Sequence, residues 1–369
     1  MLINALSWVL LIGLVVTAAI LRAKATFRRR ARFKANDSLR QKTINRILAG
    51  GERHHVQGIY ERVEPMRKLV ERSVERLEAA IADQVPEAQL IYGALERGGE
   101  ANRLLEFLVA QKQGAPDIVA RSREIATLGY LVGDIETASN AVETIISLFK
   151  NDVDALTRRG MIFYLRGDTN AAKEVYLRVL KIAGHNNNEE EKAAAHVNLG
   201  LLHQILKQVG DAEYHHAAAL KIYEKLKDEA GMADCFVNLG LIHQVRNEAA
   251  PAERVFRKAL EINERLQRPE GLAVASGCLG LLIYHNRGNL EEAEHHLGTA
   301  LDLNSRLGRL GGMASAYGNL GLVRFKRGDA KGARELFTKS LTLYQKINRP
   351  KLAMKVQTWL EQMEPAPAT

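Results

Sequence analysis

The chain has 369 residues, 46% of them hydrophobic and 26% charged, a composition that belongs to a folding protein and excludes a disordered or collagen-like one. Lys and Arg outnumber Asp and Glu by 52 to 43, for a formal net charge of +9. The two cysteines, Cys235 and Cys278, are too few for a disulfide scaffold or a thiolate metal site, and they point to a reducing compartment.

The excess charge is local. Sixteen basic and seven acidic residues lie between Arg22 and Ala80, so this stretch carries the whole net charge and the remainder is balanced. A nucleic-acid binder would spread its cations over a folded face among aromatic residues, and this chain does not. The segment just before explains the location. Residues 2–21 contain neither charge nor proline, and about 20 such residues as a helix match the roughly 30 Å hydrocarbon core of a bilayer. They predict one transmembrane helix over 1–21. Arg22, Lys24, Arg28, Arg29, Arg30, Arg32 and Lys34 follow without an acidic residue, which puts the C-terminal side in the cytoplasm and the N-terminus outside. A cleaved signal peptide competes, helped by Ala23 and Ala25, but it needs its basic residues ahead of the apolar run. The juxtamembrane segment 22–57 is therefore expected to bind anionic headgroups.

Ile59, Val63, Met66, Val70, Leu77 and Ile81 then recur at steps near three and four up to Pro86. They predict a long amphipathic helix over 58–85, which either pairs with a second copy as a coiled coil or packs against the first repeats. Beyond it the chain repeats. Asn198-Leu199-Gly200-Leu201, Asn238-Leu239-Gly240-Leu241, Cys278-Leu279-Gly280-Leu281 and Asn319-Leu320-Gly321-Leu322 have glycine spacings of 40, 40 and 41. Each string is followed by an alanine (Ala212, Ala252, Ala293, Ala333), then a larger residue (His216, Phe256, Leu297, Phe337), then a small one (Ala219, Ala259, Ala300, Ser340). Two earlier units carry the pattern around Gly133-Asp134 and Gly167-Asp168 at a spacing of 34, with a fainter copy over 86–118 around Gly99-Glu100. Small residues let two antiparallel helices approach, and the large one fills what is left. Gly167-Asp168, Gly210-Asp211, Gly288-Asn289 and Gly328-Asp329 are expected in the turn between the two helices of a unit.

This pattern resembles the tetratricopeptide repeat family across about residues 119 to 350. The later units resemble the longer repeats of the LGN/Pins polarity adaptors and, more loosely, of kinesin light chains. The resemblance implies an all-α fold: a superhelical solenoid of helix-turn-helix repeats at 119–152, 153–192, 193–232, 233–272, 273–313 and 314–350, then a capping helix over 351–363. The tail, 364–369, is expected to be disordered. In the long units the extra residues keep helical spacing after the second helix, which predicts that helix to be longer by about a turn.

In this family the first helices line the concave face. Carried over, the resemblance places Met161, Leu201, Leu241, Leu281 and Leu322 on the floor of a partner-binding groove, with Tyr164, Gln204, Gln244, Tyr284 and Phe325 at its edge. Such a surface suits an extended or helical peptide; the alternative for the leucines is inter-helix core. Chaperone-binding members grip a carboxylate through an asparagine in the column that here holds Leu or Met, so that role is not implied. The histidine pairs His54-His55, His215-His216 and His295-His296 are each adjacent on a helix and point about 100° apart, which argues against shared metal ligation. No phosphate-binding loop, zinc motif or nucleophile elbow occurs, so no catalytic, cofactor or metal residue is assigned.

The expectation is a non-enzymatic, single-pass membrane adaptor that recruits protein partners in the cytoplasm, at a bacterial inner membrane or an organelle membrane. An assembly factor or regulator of a membrane complex, or a receptor for protein targeting, would use the same parts.

Overall fold

The computed structural model describes residues 41, 44–45, 63–82, 85–96, 102–110, 118–286 and 289–363. From residue 63 these form sixteen α-helices and no strand. Three precede the repeats: α1 (Val63–Ala82), α2 (Pro86–Glu96) and α3 (Asn102–Ala110). Six pairs follow: α4 (Ile118–Val132) with α5 (Ile135–Leu148), α6 (Val153–Leu165) with α7 (Thr169–His185), and α8 (Glu189–Ile205) with α9 (Val209–Leu226). The series continues with α10 (Glu229–Val245) and α11 (Ala249–Arg265), α12 (Pro269–Asn286) and α13 (Leu290–Arg306), and α14 (Leu310–Lys326) and α15 (Ala330–Lys346). A last helix, α16 (Pro350–Glu361), packs on α15. The expected transmembrane segment, its basic collar and the tail from 364 lie outside the described residues. Among the described residues no helix is long and apolar enough to cross a membrane.

Within a unit, the first helix carries a glycine where the second inserts its largest side chain. A Cβ on Gly160 would stand 2.6 Å from the Tyr176 ring, one on Gly280 2.8 Å from Leu297, and one on Gly321 2.6 Å from Phe337. Gly200 meets His216 and Gly240 meets Phe256 in the same way. Tyr176, His216 and Phe256 are fully buried.

The 40-residue units add a second contact of this kind, between units. Tyr223 at the end of α9 lies against Gly231 in the first turn of α10, and Asn263 and Asn304 take the equivalent places against Gly271 and Gly312. The buried asparagines turn their amides back, Asn263 Nδ2 to the Ala259 carbonyl and Asn304 Nδ2 to the Ala300 carbonyl, both at 2.8 Å. The added residues therefore do not all follow the second helix. The first helices lengthen too, from 13 residues in α6 to 17 in α8, α10 and α14. They begin at Glu189, Glu229, Pro269 and Leu310, a turn before the boundaries expected at 193, 233, 273 and 314.

The turns repeat as well. Gly133, Gly167 and Gly328 adopt positive φ, and Lys207 and Asn247 occupy the equivalent place in their units at φ 58° and 60°. Asp134, Asp152, Asp168, Asp228 and Asp329 cap the helices that follow, accepting backbone N–H bonds of 2.9–3.0 Å. Gly210-Asp211 departs from the expectation. It lies inside α9, which starts at Val209, because Lys207 makes the left-handed turn two residues earlier.

At the N-terminal end α1 packs on α4, with Val70, Val74 and Leu77 fully buried and Arg76 paired with the buried Glu124 at 2.7 Å. Among the described side chains, the apolar face from Val70 to Ile81 is thus covered within the chain. Helices α2 and α3 sit beside it and, at 11 and 9 residues, are shorter than any helix of the six pairs. Outside, arginines clasp successive units, Arg246 to Glu213 at 2.6 Å and Arg257 to Glu292 at 2.8 Å, and Arg265 joins the two helices of one unit through Glu229 at 3.0 Å.

Emptying the lock is expected to be costly. Phe256→Ala should lower stability by about 3–5 kcal/mol in urea unfolding, whereas Lys227→Gly, at φ 55°, should raise it by about 0.5–1 kcal/mol.

Candidate ligand-binding surface

The first helices touch one another in succession, α8 with α10, α10 with α12 and α12 with α14. That closeness marks them as the inner row of the array. Along it the expected groove residues separate into three groups. Met161 and Leu201 are 3% and 1% exposed, held in the cores of their units, and present no surface to a ligand. Their column is that of Leu241, but burial has turned them into packing residues, so their assignment to the groove floor is corrected. Tyr164, Gln204, Gln244, Leu281, Tyr284 and Leu322 are half-buried. Leu241 and Phe325 are exposed, and so is Val245, one turn beyond Leu241 and 68% accessible, a position that the repeat pattern alone does not mark.

The half-buried residues are also engaged. Gln204 Nε2 donates to the Asn238 carbonyl at 3.3 Å, joining α8 to α10. The Lys326 ammonium lies over the Tyr284 ring, 5.0 Å from its centroid. Burial raises the Tyr164 hydroxyl above its usual pKa, and the charge of Arg349, from the turn before α16, pulls it back. Burial likewise raises Tyr284.

A further column runs along the inner row: Arg158, Asn198, Asn238, Cys278 and Asn319, spaced by 40 or 41 residues. Asn198 is 3% exposed and its Oδ1 has no hydrogen-bond partner. The spacing was legible; the unpaired acceptor was not. Arg158 donates to Thr127 Oγ1 at 2.9 Å and contacts Asp154 at 3.2 Å, while Arg123 pairs with Asp152 and reaches Asp154 at 3.4 Å. The inner surface is thus ionic at its N-terminal end, where burial, then Asp152, Asp154 and Glu190, raise the Glu191 carboxyl. Toward the C-terminal end it is apolar with cations, Lys326 among them. No group of three or more potential metal ligands occurs among the described residues.

Paired helices, a glycine lock in each unit and an inner row of first helices recur with a period that a family comparison recognises. The tetratricopeptide repeat family matches residues 153–186, 191–265 and 272–346. These units are tetratricopeptide repeats. Solved structures agree on the fold. The apo form of RapI is 18% identical with a TM-score of 0.51, covering 80% of this chain and 82% of its own. PH0952 from Pyrococcus horikoshii, a STAND protein with a tetratricopeptide repeat sensor, is 18% identical with a TM-score of 0.53, covering 70% of this chain and 42% of its own. No curated protein matches the chain. Tetratricopeptide repeat proteins generally mediate protein–protein interactions.

In the inner column, Cys278 offers a probe. Burial pushes its thiol up to about 12, so at pH 8 almost none is thiolate. Native protein should label at Cys278 at least ~100-fold more slowly than urea-unfolded protein, as followed by mass spectrometry.

Proposed function

We propose that the chain is a membrane-anchored, non-enzymatic adaptor whose tetratricopeptide repeats hold protein or peptide ligands on the inner row of first helices. The observation that carries the binding surface is the exposed apolar run Leu241, Val245 and Phe325, beside the half-buried Leu281, Tyr284 and Leu322. Apolar side chains left exposed along one row of helices suit an interaction site. The anchor rests on sequence: the uncharged run of 2–21 and the basic collar from Arg22 to Lys34, each cation of which contributes roughly 1 kcal/mol near an anionic surface. The orientation it supports has the N-terminus outside and the repeats in the cytoplasm, beside a bacterial inner membrane or an organelle membrane.

Two measurements test this. Leu241→Asp with Phe325→Asp, both at exposed positions, should leave the circular dichroism unchanged and remove the partners captured by crosslinking and co-purification; retention of those partners would refute the inner row as the binding surface. Protease added to sealed vesicles should reach the repeats only when the vesicles are inside-out, with their cytoplasmic face outward, and removal of residues 1–21 should release the chain from the membrane fraction.

A further inference from the structure

Repeat three differs from its neighbours in what packs its two helices together. His196 and His203 stand two turns apart on α8, and His215 of α9 lies between them. The Nδ1 atoms of His196 and His215 meet at 3.0 Å, and the rings of His215 and His203 stack with centroids 5.4 Å apart and planes within 15°. His203 Nδ1 also meets Gln208 Oε1 at 2.6 Å. Tyr214 stands edge-on to His196 and His215, at 6.5 and 5.2 Å. The next residue, His216, fills the lock against Gly200, fully buried, with neither ring nitrogen bonded.

This arrangement accepts one protonation state. Two imidazoles that meet nitrogen to nitrogen share a single proton as N–H···N; a second proton sets two N–H groups against each other. A protonated His216 would be a buried cation without a partner. We propose that repeat three is a proton-operated joint: protonation of the His196–His215 pair and of His216 opens α8 from α9 and uncouples the units on either side.

The surrounding charges leave the cluster neutral when closed. Burial lowers His215 to about 4, helped by His196, His203 and Lys173 of α7, with Asp211 acting the other way. Burial and then His215 lower His216 to about 3, and burial and then Lys192 lower His196. Asp211 Oδ2 is 3.7 Å from His203 Nδ1, and Glu213 on α9 is taken by Arg246 of α10 at 2.6 Å. An opened repeat titrates its histidines near the ordinary 6.5, so the closed form is fully favoured above that pH and loses ground as the pH falls toward 4 and 3. With His215 and His216 both depressed, the open-to-closed ratio should rise roughly two-hundredfold between pH 6.5 and pH 5. Because α8 also carries Gln204, whose bond to the Asn238 carbonyl joins repeats three and four, opening there reaches the inner surface.

Cys235 reports the event. It is fully buried in the cluster that joins Ala193, Val197 and Leu201 of α8 to Ala219 of α9. In the full chain carrying Cys278→Ala, its labelling rate would be measured from pH 7.5 to pH 5 and divided by the rate in urea, which removes the thiolate's own pH dependence. The corrected rate should rise by two to three orders of magnitude between pH 6.5 and pH 5, and at least tenfold less when His215→Gln and His216→Phe are added. An equal rise in the variant, or no rise in the parent, would overturn the joint. His216→Phe places in the lock the residue that Phe256 and Phe337 already supply, so the variant keeps a packed core. Hydrogen exchange gives a second reading: preferential acid-induced exchange over 193–226 compared with 273–306 supports the joint, and uniform exchange along the array overturns it.

Discussion

Five of the six units of this array depend on one steric fact: a glycine on the first helix leaves room for a large side chain of the second. At Gly160, Gly240 and Gly321 a methyl group would collide with an aromatic ring, so the two axes can approach only because the Cβ is missing. The contact fixes the spacing within a unit and leaves the other edge of each first helix for its neighbour. Tyr223, Asn263 and Asn304 then fix the spacing between units through Gly231, Gly271 and Gly312. Lengthened helices make this second contact available. With both spacings set by steric contact, the first helices form a continuous inner row, and their remaining side chains make its surface.

Not every lock is filled by an apolar group. His216 occupies a place that is aromatic hydrocarbon in repeats four and six, and Asn263 and Asn304 occupy one that is tyrosine in repeat three. Each buried polar group without a partner costs about 1–3 kcal/mol. The asparagines offset part of that by bonding a carbonyl one turn back on their own helix, and Arg268 adds a bond to Asn263 Oδ1 at 3.2 Å. His216 has no such recourse. Because each repeat contacts only its neighbours, stability in a solenoid is close to a sum of local terms. A deficit in repeat three is therefore not averaged away by good packing in repeats four and five.

Much of this was legible in the sequence. The lock is written as a glycine followed sixteen or seventeen residues later by a large residue, five times from Gly160 to Phe337, and periodicity with side-chain size is enough to deduce paired helices. What escaped was information held between segments. Gly210-Asp211 has the composition of a turn, but Lys207 takes the left-handed conformation that glycine takes elsewhere. Adjacent histidines diverge on one helix, yet His196 and His215 converge from two. The groove column looked uniform, while its members run from buried Leu201 to exposed Leu241.

That last difference gives the inner surface a direction. Its N-terminal end, around Arg123, Asp154 and Arg158, is a lattice of mutually satisfied charges, which a ligand can enter only by displacing ion pairs. The opposite end exposes Leu241, Val245 and Phe325 and sets Lys326 over Tyr284, so burial there gains apolar area without breaking a pair. Affinity would thus come mainly from repeats four to six and orientation from the charges ahead of them. Repeat three lies between the two. A joint at that place would separate the charged half from the apolar half of the proposed binding surface without unfolding either.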